Sequence, residues 1–121
     1  MSKLNSIDRT KFEIDLVYRN KILFGDACPH LLNRFKKYHK DNPIVFHRFK
    51  ELTLRMTKTG RARYSAWCII NKIRWDMDIE VVTDDFKISN DFIGLYARLL
   101  IYHQPNLINF FEIKPMKKVR A

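Results

Sequence analysis

The run Gly60-Arg61-Ala62-Arg63-Tyr64-Ser65 sets two guanidinium groups just ahead of a helix start, with Ser65 as N-cap. That arrangement suits a phosphate. The first backbone N–H groups of a helix lack an intrahelical acceptor, and the helix dipole favours an anion there. Lys72 follows one or two turns further along, and Asn71 beside it carries an amide suited to a base edge. Tyr64, Trp67 and Trp75 would stack on unpaired bases wherever they stand exposed. Core packing competes with that role and fits Tyr64 and Trp67 better, because both adjoin apolar-stripe positions. Trp75 has Lys72, Arg74 and Asp76 around it and is the aromatic residue best suited to a ligand.

These residues belong to a larger block of charge. Twelve Lys and Arg lie from residue 34 to residue 74 against two acids, Asp41 and Glu51, and that excess equals the net charge of +10 for the whole chain. The remaining residues cancel. A concentrated block implies a directed field and a polyanionic partner, since Lys and Arg gain affinity for nucleic acid mainly by releasing condensed counterions. The competing role is a solvated helix surface. The candidate contact set is Arg48, Arg55, Lys58, Arg61, Arg63, Asn71, Lys72 and Trp75.

Catalytic chemistry finds less support. Asp76, Asp78 and Glu80 alternate with apolar residues, and Asp84-Asp85 follow. Two-metal hydrolysis needs carboxylates converging on shared ions, yet on a helix Asp76 and Asp78 point about 200° apart. Glu112-Ile113-Lys114 matches half of a nuclease-type Glu-x-Lys pair, without the sheet that would supply its companion acid. The residues His30, His39, His47, His103, Cys28 and Cys68 show neither Cys-x-x-Cys nor His-x-x-x-His spacing, which argues against structural zinc. Three scattered glycines cannot build a phosphate loop. The expectation is a protein without catalytic residues, metal, cofactor or small-molecule substrate.

A chain of 121 residues makes one domain, and 46% hydrophobic content argues against disorder. Few glycines and prolines favour helices. No apolar run reaches the ~18–20 residues that span a bilayer, and the first residues lack a signal-peptide core, so a cytoplasmic setting with reduced, buried thiols is expected.

The elements that must position the basic block follow from apolar spacing. Residues 1–30 form an N-terminal extension in which residues 12–18 alternate apolar and charged like a strand, although a helix fits nearly as well. Gly25-Asp26 and Pro29 mark a turn. Residues 31–116 form the main domain. A helix over 31–40 turns Leu31, Leu32, Phe35 and Tyr38 inward. A second starts at Asn42-Pro43, carries Val45, Phe49, Leu52 and Met56 as one stripe, and closes at Gly60. A third starts at Ser65 with Ala66, Ile70, Ile73 and Met77 inward and with Trp67 and Ile69 widening that face. A fourth, capped by Ser89 or Asn90, has the strongest amphipathic stripe in Phe92, Leu95, Tyr96 and Leu99, and it ends at Gln104-Pro105. Arg98, opposite that stripe, is expected to form a structural ion pair with an acid of the 76–80 run. Phe86-Lys87-Ile88 and Phe111-Glu112-Ile113-Lys114 read as two short strands that pair. The expected class is mainly α with a short β-hairpin, α+β, in a winged-helix-like order. Residues 117–121 are a basic tail.

Several of these motifs occur together elsewhere. Gly60-Arg61-Ala62-Arg63-Tyr64-Ser65-Ala66, Ile69-Ile70, Ile73-Arg74-Trp75, Phe86-Lys87-Ile88-Ser89-Asn90-Asp91-Phe92, Tyr96-Ala97-Arg98-Leu99, Pro105 and Phe110-Phe111-Glu112 stand in the same order in a group of small bacteriophage and prophage proteins without an established activity. The chain resembles that group over residues 39–115. The resemblance implies a mobile-element origin and a bacterial host cytoplasm, and it assigns no catalytic residue. The functional expectation is a non-enzymatic DNA- or RNA-binding protein acting through the 34–74 surface. The alternative is a phage inhibitor of a host defence system, of anti-CRISPR type, that acts on an RNA-guided nuclease complex or its guide RNA. A virion structural role rests on the resemblance alone.

Overall fold

The apolar spacing of the chain converges on one central helix. The computed structural model describes residues 17–18, 20–81 and 86–113. The helices are α1 (Lys21–Phe24), α2 (Pro29–Asp41), α3 (Pro43–Thr57), α4 (Ala66–Glu80) and α5 (Ile93–His103), with 3-10 turns at Asn90–Phe92 and Pro105–Leu107. Among the described residues no helix is long and apolar enough to cross a membrane.

Local signals set the boundaries. The Asn20 side chain accepts from the N–H groups of Ile22 and Leu23, Ser65 accepts from Cys68, and Ser89 accepts from Asp91. Pro29 and Pro43 occupy first turns, where their missing N–H costs nothing. Asn42 acts differently from expectation. It makes no side-chain cap, and its amide instead donates to the Tyr38 carbonyl, joining α2 to α3 at a sharp corner. Gly60 has φ +85°, the left-handed conformation that ends the α3 segment and turns the chain toward α4.

Helix α5 is the hub. Its residues Ile93 and Leu95 to Ile101 are all buried, so it is surrounded by core instead of presenting one amphipathic stripe to it. Helices α1, α3 and α4 pack against it. Phe35, Val45, Phe49, Ile70, Ile73, Leu95, Tyr96 and Leu100 fill the centre, and the ring of Tyr96 meets that of Phe35 edge-on at 4.8 Å. Val17, Tyr18 and Phe24 belong to the same core, which brings this part of the N-terminal segment into the main body. Of the strand expected over 12–18, residues 12–16 lie outside the described residues, and Val17 and Tyr18 are helical. The basic tail at 117–121 lies outside them too.

The expected β-hairpin is absent among the described residues, beyond which Lys114 of its second strand lies. Those residues are 72% helical with no strand or sheet, which overturns the α+β, winged-helix-like class. The reason lies in competing hydrogen bonds. A ladder at 86–88 would need the carbonyls of Lys87 and Ile88. The Tyr38 hydroxyl donates to the first at 2.7 Å, and the Arg74 guanidinium donates to the second at 2.5 Å. Phe110 and Phe111 are both buried in a turn and bend that follow the Pro105–Leu107 3-10 turn, unlike an edge strand with one solvated face. The Phe110 carbonyl accepts from the Tyr64 N–H at 3.0 Å, so this segment is pinned to the start of α4.

Candidate nucleic-acid interface

Helix α3, its Gly60 turn and the first turns of α4 hold most of the candidate contacts. Tyr64 fixes the turn through its N–H to Phe110, and the Arg61 guanidinium lies over its ring at 5.9 Å from the centroid. Arg55, Lys58, Arg61 and Arg63 are all exposed, and among the described residues none has a carboxylate partner. They span nine positions of sequence and surround one end of the α3–α4 pair.

Arg34, Arg48, Lys72 and Arg74 of the block are engaged, whereas Lys37, Lys40 and Lys50, on α2 and the first half of α3, also have no carboxylate partner among the described residues. Arg48 makes a two-pronged contact with Glu80, at 2.5 and 3.3 Å, which clamps α3 to the end of α4. That hydrogen bond, together with the nearby carboxylates, raises the Arg48 pKa above its ordinary value. Lys72 donates to Asp76 at 2.7 Å, one turn along α4. Asn71 has both ends of its amide engaged: the NH2 donates to the Trp67 carbonyl at 2.8 Å and the oxygen accepts from Arg74 at 3.3 Å. Arg34 faces Asp91 at 3.8 Å. Within the proposed contact set, Arg48 is therefore a helix brace and Asn71 is already satisfied.

The indoles depart from expectation in the opposite sense. Trp67 is 59% exposed and Trp75 is 65% exposed, so Trp67 leaves the core position foreseen for it. Ile69, expected on the same face, is buried. The physical cause is rotation about the helix axis. The buried line of α4 runs through Ile69, Ile70, Ile73 and Met77, and Trp67 stands well round from it on the solvent side.

Two recesses flank this helix. One lies between α3 and α4, about 400 Å³, lined by Leu52, Met56, Ile69 and Tyr64 together with Arg55 from α3 and Lys72 from α4. The other is a cleft of about 1010 Å³ at the starts of α2, α4 and α5, where Arg34, Arg63, Arg98, Trp67, Asp91 and Glu112 meet. Cations and carboxylates mix in the cleft. The smaller groove has basic walls and no carboxylate lining it. Sequence reasoning missed both recesses, because neither follows from spacing along one element.

Arg98 forms the expected ion pair with a different acid. Its side chain is only 4% exposed, 3.7 Å from Asp26, and donates to the Gly94 carbonyl at 3.1 Å. Burial lowers its pKa, and Asp26 opposes that shift. The thiols Cys28 and Cys68 are free, but contrary to expectation neither is buried, and Cys68 is exposed beside the groove. Among the described residues no cluster of His, Cys, Asp or Glu is placed to hold a metal ion. Asp76 and Glu80 are joined to Lys72 and Arg48, while Asp84 and Asp85 lie outside the described residues.

Comparison with protein-family models, with curated proteins and with solved structures finds no match.

Proposed function

We propose that this protein binds nucleic acid without catalysing a reaction, through the surface formed by α3, the Gly60 turn and the outer face of α4. One observation carries the reading: Arg55, Lys58, Arg61 and Arg63, which have no carboxylate partner among the described residues, gather at one end of the α3–α4 pair, where Trp67 is exposed, and Trp75 is exposed further along α4. Clustered cations without carboxylate partners release phosphate counterions on binding, whereas paired ones must first give up a partner. The exposed aromatic faces add a contact that phosphate attraction does not require. A bacterial host cytoplasm and a phage origin are part of this proposal, and they rest on the sequence resemblance.

Electrophoretic mobility shifts with duplex DNA, single-stranded DNA and structured RNA test it. Replacing Arg61 and Arg63 by Glu is expected to abolish the shift with the circular dichroism unchanged, because both side chains are exposed. A shift that survives this double replacement removes the proposed surface. A second reading, a partner of protein together with guide RNA, is favoured by Ile79, an exposed apolar residue one turn beyond Trp75. Recovery of a nuclease complex from a host carrying a defence system would support it.

A further inference from the structure

Given the nucleic-acid reading above, we infer that this surface is built for a single strand, with unpaired bases stacked on Trp67 and Trp75 and the backbone held by Arg55 and Lys72 across the α3–α4 groove. The two indoles are eight residues apart on one helix, which places them about 12 Å apart along its axis and about 80° apart around it. Both therefore look out from neighbouring parts of one solvent-facing surface. Bases in a duplex stack about 3.4 Å apart and cover one another's faces, so a duplex offers neither indole a partner. The separation of the indoles exceeds three such steps. It suits bases that have come apart from each other along an extended strand.

The groove between α4 and α3 opens on the Trp75 side of α4, while Trp67 lines the larger cleft beside Arg63, so the strand crosses the outer face of α4 between them. The groove's lining of Leu52, Met56, Ile69 and the Tyr64 ring is apolar, and about 400 Å³ is room enough for one nucleobase. A base entering there brings its flanking phosphates to Arg55 on one wall and Lys72 on the other. The Lys72 contact to Asp76 is an exposed pair within one helix, the kind that contributes little and yields to a phosphate. Asp78, exposed on α4, and Asp91 and Glu112, which line the cleft with Trp67, are the charges that oppose the strand. The surrounding cations distinguish this patch from an apolar protein-docking face, since an uncharged partner would have to desolvate them.

Trp67 and Trp75 are the only tryptophans in the chain, so intrinsic fluorescence reads this surface alone. The experiment titrates the protein at low salt with a thymidine 15-mer, a uridine 15-mer and a 15-base-pair duplex. The readouts are tryptophan emission and the anisotropy of labelled strands. Stacking is expected to quench both indoles, as the single-indole variants Trp67→Phe and Trp75→Phe resolve, and to make the duplex at least tenfold weaker. Trp67→Ala and Trp75→Ala should each weaken single-strand binding about tenfold. Equal or tighter duplex binding, or unchanged affinity in both alanine variants, overturns the inference. If Arg61→Glu with Arg63→Glu still abolishes that binding, the phosphate-contact reading survives alone. Absence of binding to every probe at low salt removes both. The thymidine and uridine arms separate DNA from RNA as the preferred strand.

Discussion

The slope of affinity against salt counts the cations that work, and the structure says which ones to count. Arg55, Lys58, Arg61 and Arg63 have no carboxylate partner among the described residues, while Arg48 is clamped to Glu80. Four phosphates neutralised on a single strand predict log K falling with log[salt] at a slope of about −2.8, or about −3.6 on a duplex. Between 50 and 200 mM salt the single-strand affinity should then drop about 50-fold. Arg61→Gln with Arg63→Gln should halve the slope to about −1.4, a drop of only about sevenfold over the same range. Arg48→Gln should leave the slope unchanged and lower folding stability by about 0.5–1 kcal/mol, because its bidentate contact to Glu80 holds two helices. Asp76→Asn should steepen the slope by about 0.7, because in the native chain Lys72 trades Asp76 for a phosphate and the bared carboxylate takes up a cation in its place, so that Lys72 adds no net ion release. Fluorescence anisotropy of a labelled 15-mer over a series of salt concentrations measures all four. A slope that follows Arg48 as strongly as Arg61 and Arg63 would refute the division into braced and available cations.

Other expectations concern the scaffold. Gly60→Ala should cost about 1 kcal/mol in chemical denaturation, because φ +85° strains any L side chain although nothing stands within 4 Å of its Cβ. Arg98→Met should change the melting temperature little, since it removes a buried cation along with its desolvation cost. Asp26→Asn, which leaves that cation short of a partner, should lower stability by about 1–2 kcal/mol. His39 has its pKa depressed, first by burial and then by His103, and its buried Nδ1 has no hydrogen-bond partner. Below about pH 6.5 the unfolded chain takes up a proton that the folded one resists, so stability is full above that pH and falls as pH drops towards the lowered folded value. His39→Phe should flatten the melting temperature between about pH 6.5 and 5, and an unchanged profile would rule this residue out as the cause.

Much of the helix layout can be read along the chain. Ser65 as N-cap, Pro43 in a first turn, Gly60 as the left-handed stop and the Ile70, Ile73 and Met77 line are set by contacts within a few residues, and the structure has each of them. The crowding of cations between residues 34 and 74 is likewise a property of the sequence. Four things required the tertiary structure. The segment 86–88 looks like a strand until Tyr38 and Arg74, distant in sequence, take its carbonyls. Helix α5 looks amphipathic until its neighbours close over it and bury the side that carries Arg98. Trp67 looks like core until α4 packs along Ile69 and Ile70 and leaves it in solvent, and Arg48 and Arg61 look equivalent until Glu80 reaches one of them. Local spacing determines where a helix forms, because its hydrogen bonds span only four residues. Which cations and which rings remain open to a partner depends on groups that meet only after the helices pack.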